Sequence, residues 1–72
     1  NVRVEIYERS NLMFFSLRKS IDGQYYFLIK ANNNEVVATS ETYKRKDSAL
    51  HTINAIKNGI NSETDVIDVT DV

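Results

Sequence analysis

Two aromatic-rich runs flank the dipeptide Asp22-Gly23, and they restrict the fold more than any other feature of the chain. Residues 13–19 and 24–31 are rich in the aromatic and β-branched residues that are enriched in β-strands. Asp-Gly between two such runs is the strongest short-range signal for a β-hairpin. The sequence therefore predicts two antiparallel strands joined by a tight turn.

The register of this hairpin follows from its apolar pattern. A two-residue loop would pair Leu17 with Leu28 and would divide the apolar side chains between both faces. A three-residue loop, residues 21–23, pairs Phe15 with Ile29 and Leu17 with Phe27. Because a slip of one residue moves every side chain to the other face, the pattern selects the second register, with Gly23 in the left-handed position. One face then carries Phe15, Leu17, Tyr25, Phe27, Ile29 and Ala31.

A second turn and a third strand follow at once. Asparagine tolerates a positive φ better than any residue except glycine, so residues 32–34, three asparagines, predict the turn. Residues 35–41 then return as a strand. A two-residue loop at Asn33-Asn34 would pair Ala31 with Val36 and Ile29 with Ala38, which keeps the same inner face.

The apolar period changes after residue 46. Ala49, Ile53, Ile56 and Ile60 recur at spacings of three and four, which is the stripe of an amphipathic helix over residues 46–58, and Gly59 is a suitable residue to end it. Residues 66–70 predict a short last strand, and residues 2–7 alternate like a strand at the beginning. The predicted class is α+β, a β-β-β-α-β unit preceded by an extra strand-like segment. The expected core between sheet and helix contains Phe15, Phe27, Ile29, Val36, Ile53 and Ile56.

Several stretches together resemble one known family. They are the run from Lys19 to Ala31 around Asp22-Gly23-Gln24-Tyr25, the run from Glu35 to Glu41 followed by Tyr43, and the helix residues Lys46, Ser48-Ala49, Ile53 and Lys57-Asn58. In this combination the chain, from about Phe14 onward, resembles the YegP-like family, which is defined by a domain of unknown function (DUF1508). Asn34 stands where that family usually has glycine, and the single unit of the family lacks a segment like residues 1–12.

The resemblance implies an assembly rather than an activity. Members of the family are tandem repeats or dimers, in which two units form a single sheet and exchange their C-terminal strands. We therefore expect an N-terminal extension at residues 1–12 and one YegP-like domain at residues 13–72. With one unit visible, the resemblance implies a homodimer, with Ile67 and Val69 of the last strand in the interface.

Composition excludes several kinds of chemistry. The chain has no cysteine, which removes disulfides and thiolate chemistry, and a single histidine cannot form a histidine-rich metal site. Ser40, Glu41 and Tyr43 have no histidine nearby in sequence to act as a base, so we expect them to turn the chain from strand to helix. His51 is predicted to be a surface residue. We expect no enzyme activity, no cofactor and no metal, and the absence of an apolar run of about 18 residues argues against a membrane span.

Charge is distributed unevenly along the chain. Residues 1–57 carry nine basic and six acidic residues, a net charge of +3, whereas residues 58–72 carry four acidic residues and no basic one. Lys44, Arg45 and Lys46 form the densest basic segment and are the candidate contact for an anionic partner. We predict a small cytoplasmic protein that acts as a homodimeric interaction or accessory module. The alternative is a weak nucleic-acid-binding protein that uses this segment together with aromatic side chains on the sheet.

Overall fold

The computed structural model describes residues 12–71 and places three strands and one helix in them. The elements are β1 (Phe14–Lys19), β2 (Tyr25–Lys30), β3 (Val36–Thr39) and α1 (Lys46–Gly59). The strands form one antiparallel sheet in the order β1-β2-β3. The α+β class is confirmed at this level. The strand predicted for residues 2–7 lies outside the described residues.

The first hairpin has the predicted register. Phe15 faces Ile29 and Leu17 faces Phe27. The backbone N–H of Gly23 donates to the carbonyl of Ser20 at 3.0 Å, and Gly23 has a φ of +86°. Since glycine has no Cβ, this left-handed conformation costs it little, as the turn requires.

The second hairpin has a longer loop than the sequence predicted. The N–H of Ala31 donates to the carbonyl of Glu35 at 2.8 Å, so three residues rather than Asn33-Asn34 alone form the loop. Asn34 adopts a φ of 77°, which is the position that glycine occupies in the first hairpin. The predicted pairing of Ala31 with Val36 is therefore wrong, because the left-handed residue at 34 adds one residue to the turn.

A β-bulge compensates for the added residue. Ile29 still faces Ala38, as predicted, but Lys30 faces Val36, and the register shifts between Ile29 and Lys30. Val37 is the extra residue of β3. Val36 was predicted to lie in the core and is instead 54% exposed, because the longer turn places it opposite Lys30, on the face of the sheet away from α1.

The segment between β3 and α1 is held by β2. Tyr43 forms an isolated bridge with Tyr25 through two backbone hydrogen bonds of 2.7 Å each. The Ser40 hydroxyl accepts a hydrogen bond from the N–H of Phe27 at 2.9 Å and donates one to the carbonyl of Glu41 at 2.7 Å. Ser40 therefore binds the backbone with its hydroxyl between strand and helix, as predicted, whereas Tyr43 acts there through its backbone.

Helix α1 follows the predicted stripe but ends differently. Asp47 lies in its first turn and Lys57 in its last turn, where each charge favours the helix dipole. Gly59 was predicted to follow the helix, and this is wrong, because Gly59 is its last residue. The backbone becomes extended at Ile60, whose N–H bonds to the carbonyl of Ile56 at 3.1 Å, so no left-handed residue is needed.

The core is small and lies between β2 and the first half of α1. Phe27, Ala49 and Ile53 are its buried residues, with exposures of 3%, 0% and 8%. The Phe27 ring meets Phe15 edge-on at 5.8 Å and stacks on Tyr43 at 6.3 Å, measured between ring centroids. Around this centre pack Phe15, Leu17, Tyr25, Ile29, Tyr43 and Ile56. Apart from Val36, the predicted core is confirmed.

Candidate interaction surfaces

The C-terminal segment, residues 61–71, presents apolar side chains to solvent; we call it the tail. Val66, Ile67 and Val69 are 92%, 81% and 62% exposed. The strand predicted for residues 66–70 is not formed in the single chain. Among residues 12–71, no backbone hydrogen bond joins residues 65–71 to the sheet. The two predicted interface residues, Ile67 and Val69, are thus exposed side chains on a segment without regular secondary structure.

The tail leaves α1 through an ordered turn. The N–H of Asn61 donates to the Thr64 hydroxyl at 2.8 Å, and the N–H of Thr64 donates to the Asn61 carbonyl at 3.1 Å. The Asn61 side chain also accepts a hydrogen bond from the N–H of Glu63 at 2.6 Å. This turn fixes the direction in which the tail departs from the helix.

Acidic side chains alternate with the apolar ones in the tail. Asp68 lies between Ile67 and Val69 and accepts hydrogen bonds from the Thr70 N–H at 2.9 Å and from its hydroxyl at 2.7 Å. These hydrogen bonds hold the pKa of Asp68 below its ordinary value, and the bond from the Thr70 N–H has the larger effect. The carboxylate therefore stays charged at neutral pH beside an exposed apolar pair.

An apolar groove opens between the sheet and the last turns of α1; we call it the helix-end groove. It exists because Ala49 and Ile53 seal the first half of α1 against the sheet, whereas no buried residue follows Ile53 in the helix. The groove has a volume of about 360 Å³. Its lining consists of Met13, Phe14, Phe15, Ile29, Val37, Ile56, Lys57 and Ile60.

The walls of the helix-end groove are open to solvent. Met13, Val37 and Ile60 are 53%, 58% and 59% exposed. The sequence did not predict this groove. One signal for it was present, since Ile60 continues the apolar stripe of the helix beyond its last turn. Val37 could not be assigned to it, since it reaches the groove through the bulge.

The basic segment lies at the start of α1 and is partly neutralised. Lys44, Arg45 and Lys46 are all exposed. Arg45 binds the Asp47 carboxylate through two hydrogen bonds, Nε to Oδ1 at 2.9 Å and Nη2 to Oδ2 at 2.6 Å. This bond raises the pKa of Arg45 and lowers that of Asp47. Asp47 thus competes with any anion for the Arg45 guanidinium.

The outer face of the sheet, opposite α1, carries aromatic and basic side chains. The register places Phe14 opposite Lys30 and Arg18 opposite Tyr26. The Lys30 ammonium lies 5.9 Å from the centre of the Phe14 ring, and Arg18 Nε donates to the Ser16 hydroxyl at 3.1 Å. Phe14, Tyr26 and Lys30 therefore share one face of the sheet, and the Lys30 ammonium lies over the Phe14 ring.

His51 is exposed, on the helix surface near Arg45 and Asp47. Within the part of the chain that the structure describes, no three His, Asp or Glu side chains converge as metal ligands would. Among the same residues, no helix is long and apolar enough to cross a membrane.

Comparison with known proteins places the fold in a family. A family model described as Domain of unknown function (DUF1508) matches residues 20–65, which is more than half of the chain. The chain belongs to the DUF1508 family. The matched region runs from the first turn through β2, β3 and α1 into the tail.

Relatives of the DUF1508 chain carry the label UPF0339 and differ in length. A UPF0339 protein of Pseudomonas aeruginosa is 47% identical over 51 residues, which cover 71% of this chain but 44% of the relative. A UPF0339 protein of Agrobacterium fabrum is 39% identical over 56 residues, which cover 78% of this chain and 89% of the relative. The UPF0339 protein YegP of Escherichia coli is 43% identical over 44 residues, 61% of this chain and 40% of YegP. The match thus spans less than half of the Pseudomonas and Escherichia coli relatives and nearly all of the Agrobacterium relative.

Proposed function

We propose that this DUF1508 chain is a non-catalytic interaction module that works as a homodimer, with residues 66–70 exchanged between the two copies as strands. The observation that carries the proposal is the exposure of Ile67 and Val69, at 81% and 62%, on a segment without backbone pairing inside residues 12–71. Exposed apolar side chains on a strand-like segment are typical of a surface that pairs with another chain.

Burial supplies the main driving force in this proposal. Removing one Ile or Val side chain from water stabilises a complex by roughly 1.5–3 kcal/mol, and twofold exchange does this for both tails. Pairing also satisfies the backbone groups of residues 66–70. Within residues 12–71 the core has three buried residues, which stabilise a domain of this size only modestly, so a second copy offsets that deficit.

Charge favours the same arrangement to a smaller extent. The four acidic residues after residue 57 face a body with a net charge of +3. Attraction between exposed charges is screened within about 8–10 Å at ordinary salt. It therefore speeds the association of the tail with a second copy more than it raises the affinity.

The lengths of the relatives agree with a paired unit. The same unit nearly fills the Agrobacterium relative, whereas it covers less than half of the Pseudomonas one. The longer chain has room for a second unit, and the shorter one would obtain its second unit by dimerising.

Molar mass in solution tests the homodimer. We expect light scattering to give about twice the 8.3 kDa of one chain. A chain that ends at Ser62 should be monomeric and less stable. The full-length variant Ile67→Ser should weaken the dimer, and Val66→Ser is the matched control, because alternate residues of a strand point to opposite faces. A full-length monomer, or a dimer that survives truncation at Ser62, contradicts the proposal.

We also propose residues 13–72 as the folding unit and residues 1–12 as an extension. The family match, residues 20–65, lies inside this unit, which supports the boundary. A chain that begins at Met13 should melt within a few degrees of the full chain and keep its molar mass. A large loss of stability would show that the first twelve residues belong to the domain.

Weak nucleic-acid binding is the second candidate. The outer face favours it, because Phe14, Tyr26, Arg18 and Lys30 lie there and none of its strand residues is acidic. The ion pair between Arg45 of the basic segment and Asp47 opposes nucleic-acid binding, because it occupies the guanidinium. We expect no measurable binding of single-stranded RNA or DNA at physiological salt. Micromolar binding that weakens by about one logarithmic unit per phosphate contact as salt rises tenfold would support it instead.

The residues used by this second function can be separated. Replacing Lys44, Arg45 and Lys46 by alanine removes the basic segment, whereas Tyr26→Ala removes an aromatic side chain of the outer face. Loss of binding in either variant, with an unchanged melting curve, would assign the contact.

A further inference from the structure

We infer that Met13 is a reversible oxidation site, at which a hydroperoxide makes the wall of the helix-end groove polar and weakens this end of the fold. The inference goes beyond the proposed homodimer and does not depend on it. Met13 carries the only sulfur atom of the chain, because the sequence has one methionine and no cysteine. The structure places it in the lining of the groove, with 53% of its surface exposed.

Exposure and composition together direct an oxidant to Met13. The susceptibility of a sulfur side chain to oxidation follows its access to the reagent, and more than half of the Met13 surface is accessible. Cysteine thiolates are the other sulfur groups that react with peroxides, and the chain has none. A peroxide that reaches this protein therefore has a single sulfur atom to oxidise.

The reaction is the transfer of one oxygen atom to sulfur. A lone pair of the thioether attacks the terminal oxygen of the hydroperoxide, so that an S–O bond forms as the O–O bond breaks. The other oxygen leaves and takes the proton of the transferred oxygen, which gives water when the reagent is hydrogen peroxide. Sulfur loses two electrons and the peroxide gains them. The product is methionine sulfoxide, a polar side chain that methionine sulfoxide reductases return to methionine.

The groove is an unfavourable place for that product. Among residues 12–71, those that line the groove are apolar except Lys57. Phe15, Ile29 and Ile56 belong to this lining and also pack on the buried core. A polar oxygen held against apolar side chains costs free energy unless a hydrogen-bond donor reaches it. If the sulfoxide turns toward water instead, the packing of the Met13 side chain in the groove is lost, so in both positions the sulfoxide stabilises the fold less than methionine does.

The size of the effect follows from the exposure of Met13. Because the side chain is partly in water already, the cost of the polar oxygen lies at the lower end of the range for unpaired polar groups. We expect the equilibrium constant for folding to fall about fivefold on oxidation, which lowers the melting temperature of a domain of this length by roughly 4–8 °C.

Controlled oxidation with hydrogen peroxide tests the site. Mass spectrometry follows the gain of one oxygen atom, and the melting temperature is measured before and after at the same protein concentration. Met13→Leu keeps an apolar side chain of similar volume that peroxide does not oxidise, so its melting temperature should be the same with and without the reagent. Met13→Gln places a polar amide there without any oxidant and should melt near the oxidised parent chain.

The matched control moves the sulfur atom by one residue. The double variant Leu12→Met with Met13→Leu has its only methionine at a position that is 61% exposed and does not belong to the described lining of the groove. Peroxide should add one oxygen atom to this chain at a rate within about threefold of that of the parent chain, because both thioethers are accessible. Its melting temperature should not fall.

The expected result is a fall in the melting temperature of the oxidised parent chain alone, which is reversed by methionine sulfoxide reductases with dithiothreitol. An oxidised parent chain that melts with the untreated one overturns the inference, and so does an equal fall in the double variant. A parent chain that stays unoxidised while the double variant gains its oxygen atom also overturns it, because the thioether is then out of reach. A fall that the reductases do not reverse refutes a reversible site.

Discussion

Truncation of Phe27 to alanine should remove a large part of the free energy of unfolding of this domain. Phe27 is 3% exposed, and its ring contacts Phe15 at 5.8 Å and Tyr43 at 6.3 Å between ring centroids. A buried Phe→Ala change costs about 3–5 kcal/mol, because it removes apolar burial and leaves a cavity. A chain of 72 residues has a free energy of unfolding of about 4–11 kcal/mol at the usual value per residue. The melting temperature should fall by roughly 12–40 °C, at about 4–8 °C per kcal/mol.

Urea denaturation followed by far-ultraviolet circular dichroism measures this loss of stability. All variants are measured at the same protein concentration, because the stability of a dimer depends on that concentration. Leu28→Ala is the matched control, since Leu28 is half-buried on the outer face of the same strand and should lose about 1 kcal/mol. Phe27→Leu should stay folded and lose less than about 1.5 kcal/mol, which keeps the comparison measurable if the alanine variant unfolds. A loss for Phe27→Ala no larger than that for Leu28→Ala would refute the face assignment of the whole sheet.

Three further changes test local features of the fold by the same assay. Asn34→Ala should cost about 1–2 kcal/mol, because alanine is strained at a φ of 77°, whereas the control Asn54→Ala on the exposed helix surface should gain about 0.5 kcal/mol. Ser40→Ala should cost about 1–3 kcal/mol, since it leaves a half-buried backbone N–H of β2 without its acceptor. Asp22 has a pKa below its ordinary value of 3.8, chiefly through the Ser20 hydroxyl. Its carboxylate therefore favours the folded state above that pH and loses this contribution as the pH falls below it. Asp22→Asn should therefore destabilise the chain at about pH 7, and its difference from the parent chain should shrink as the pH falls below 3.8.

The sequence predicted best where one pattern of alternation acted over a whole strand pair. The register of β1 and β2 followed from the requirement that Phe15, Leu17, Phe27 and Ile29 share one face, and the structure has that pairing. The burial of Ile53 followed in the same way from the helical stripe. Packing against a single core enforces such patterns, so they can be recognised without coordinates.

Backbone conformation at single residues was predicted less well. The left-handed Asn34 lengthened the second turn, which placed Val36 opposite Lys30 and outside the core. The bulge at Val37 then restored the predicted pairing of Ile29 with Ala38. Asparagine permits this conformation without requiring it, so the sequence does not distinguish between the two turns. The groove depends on the same bulge and on Ile60 beyond the end of α1, and therefore could not be derived from periodicity.

Amide hydrogen exchange of residues 66–70 shows directly whether the two copies of a dimer exchange their tails. In the single chain these amides have no backbone hydrogen bond to the sheet within residues 12–71, so a monomer should exchange them as fast as an unfolded peptide. The dimer predicts slow exchange of these amides at high protein concentration, and loss of that protection on dilution in parallel with the fall in molar mass. Fast exchange at every concentration, while β2 remains protected, would contradict the account.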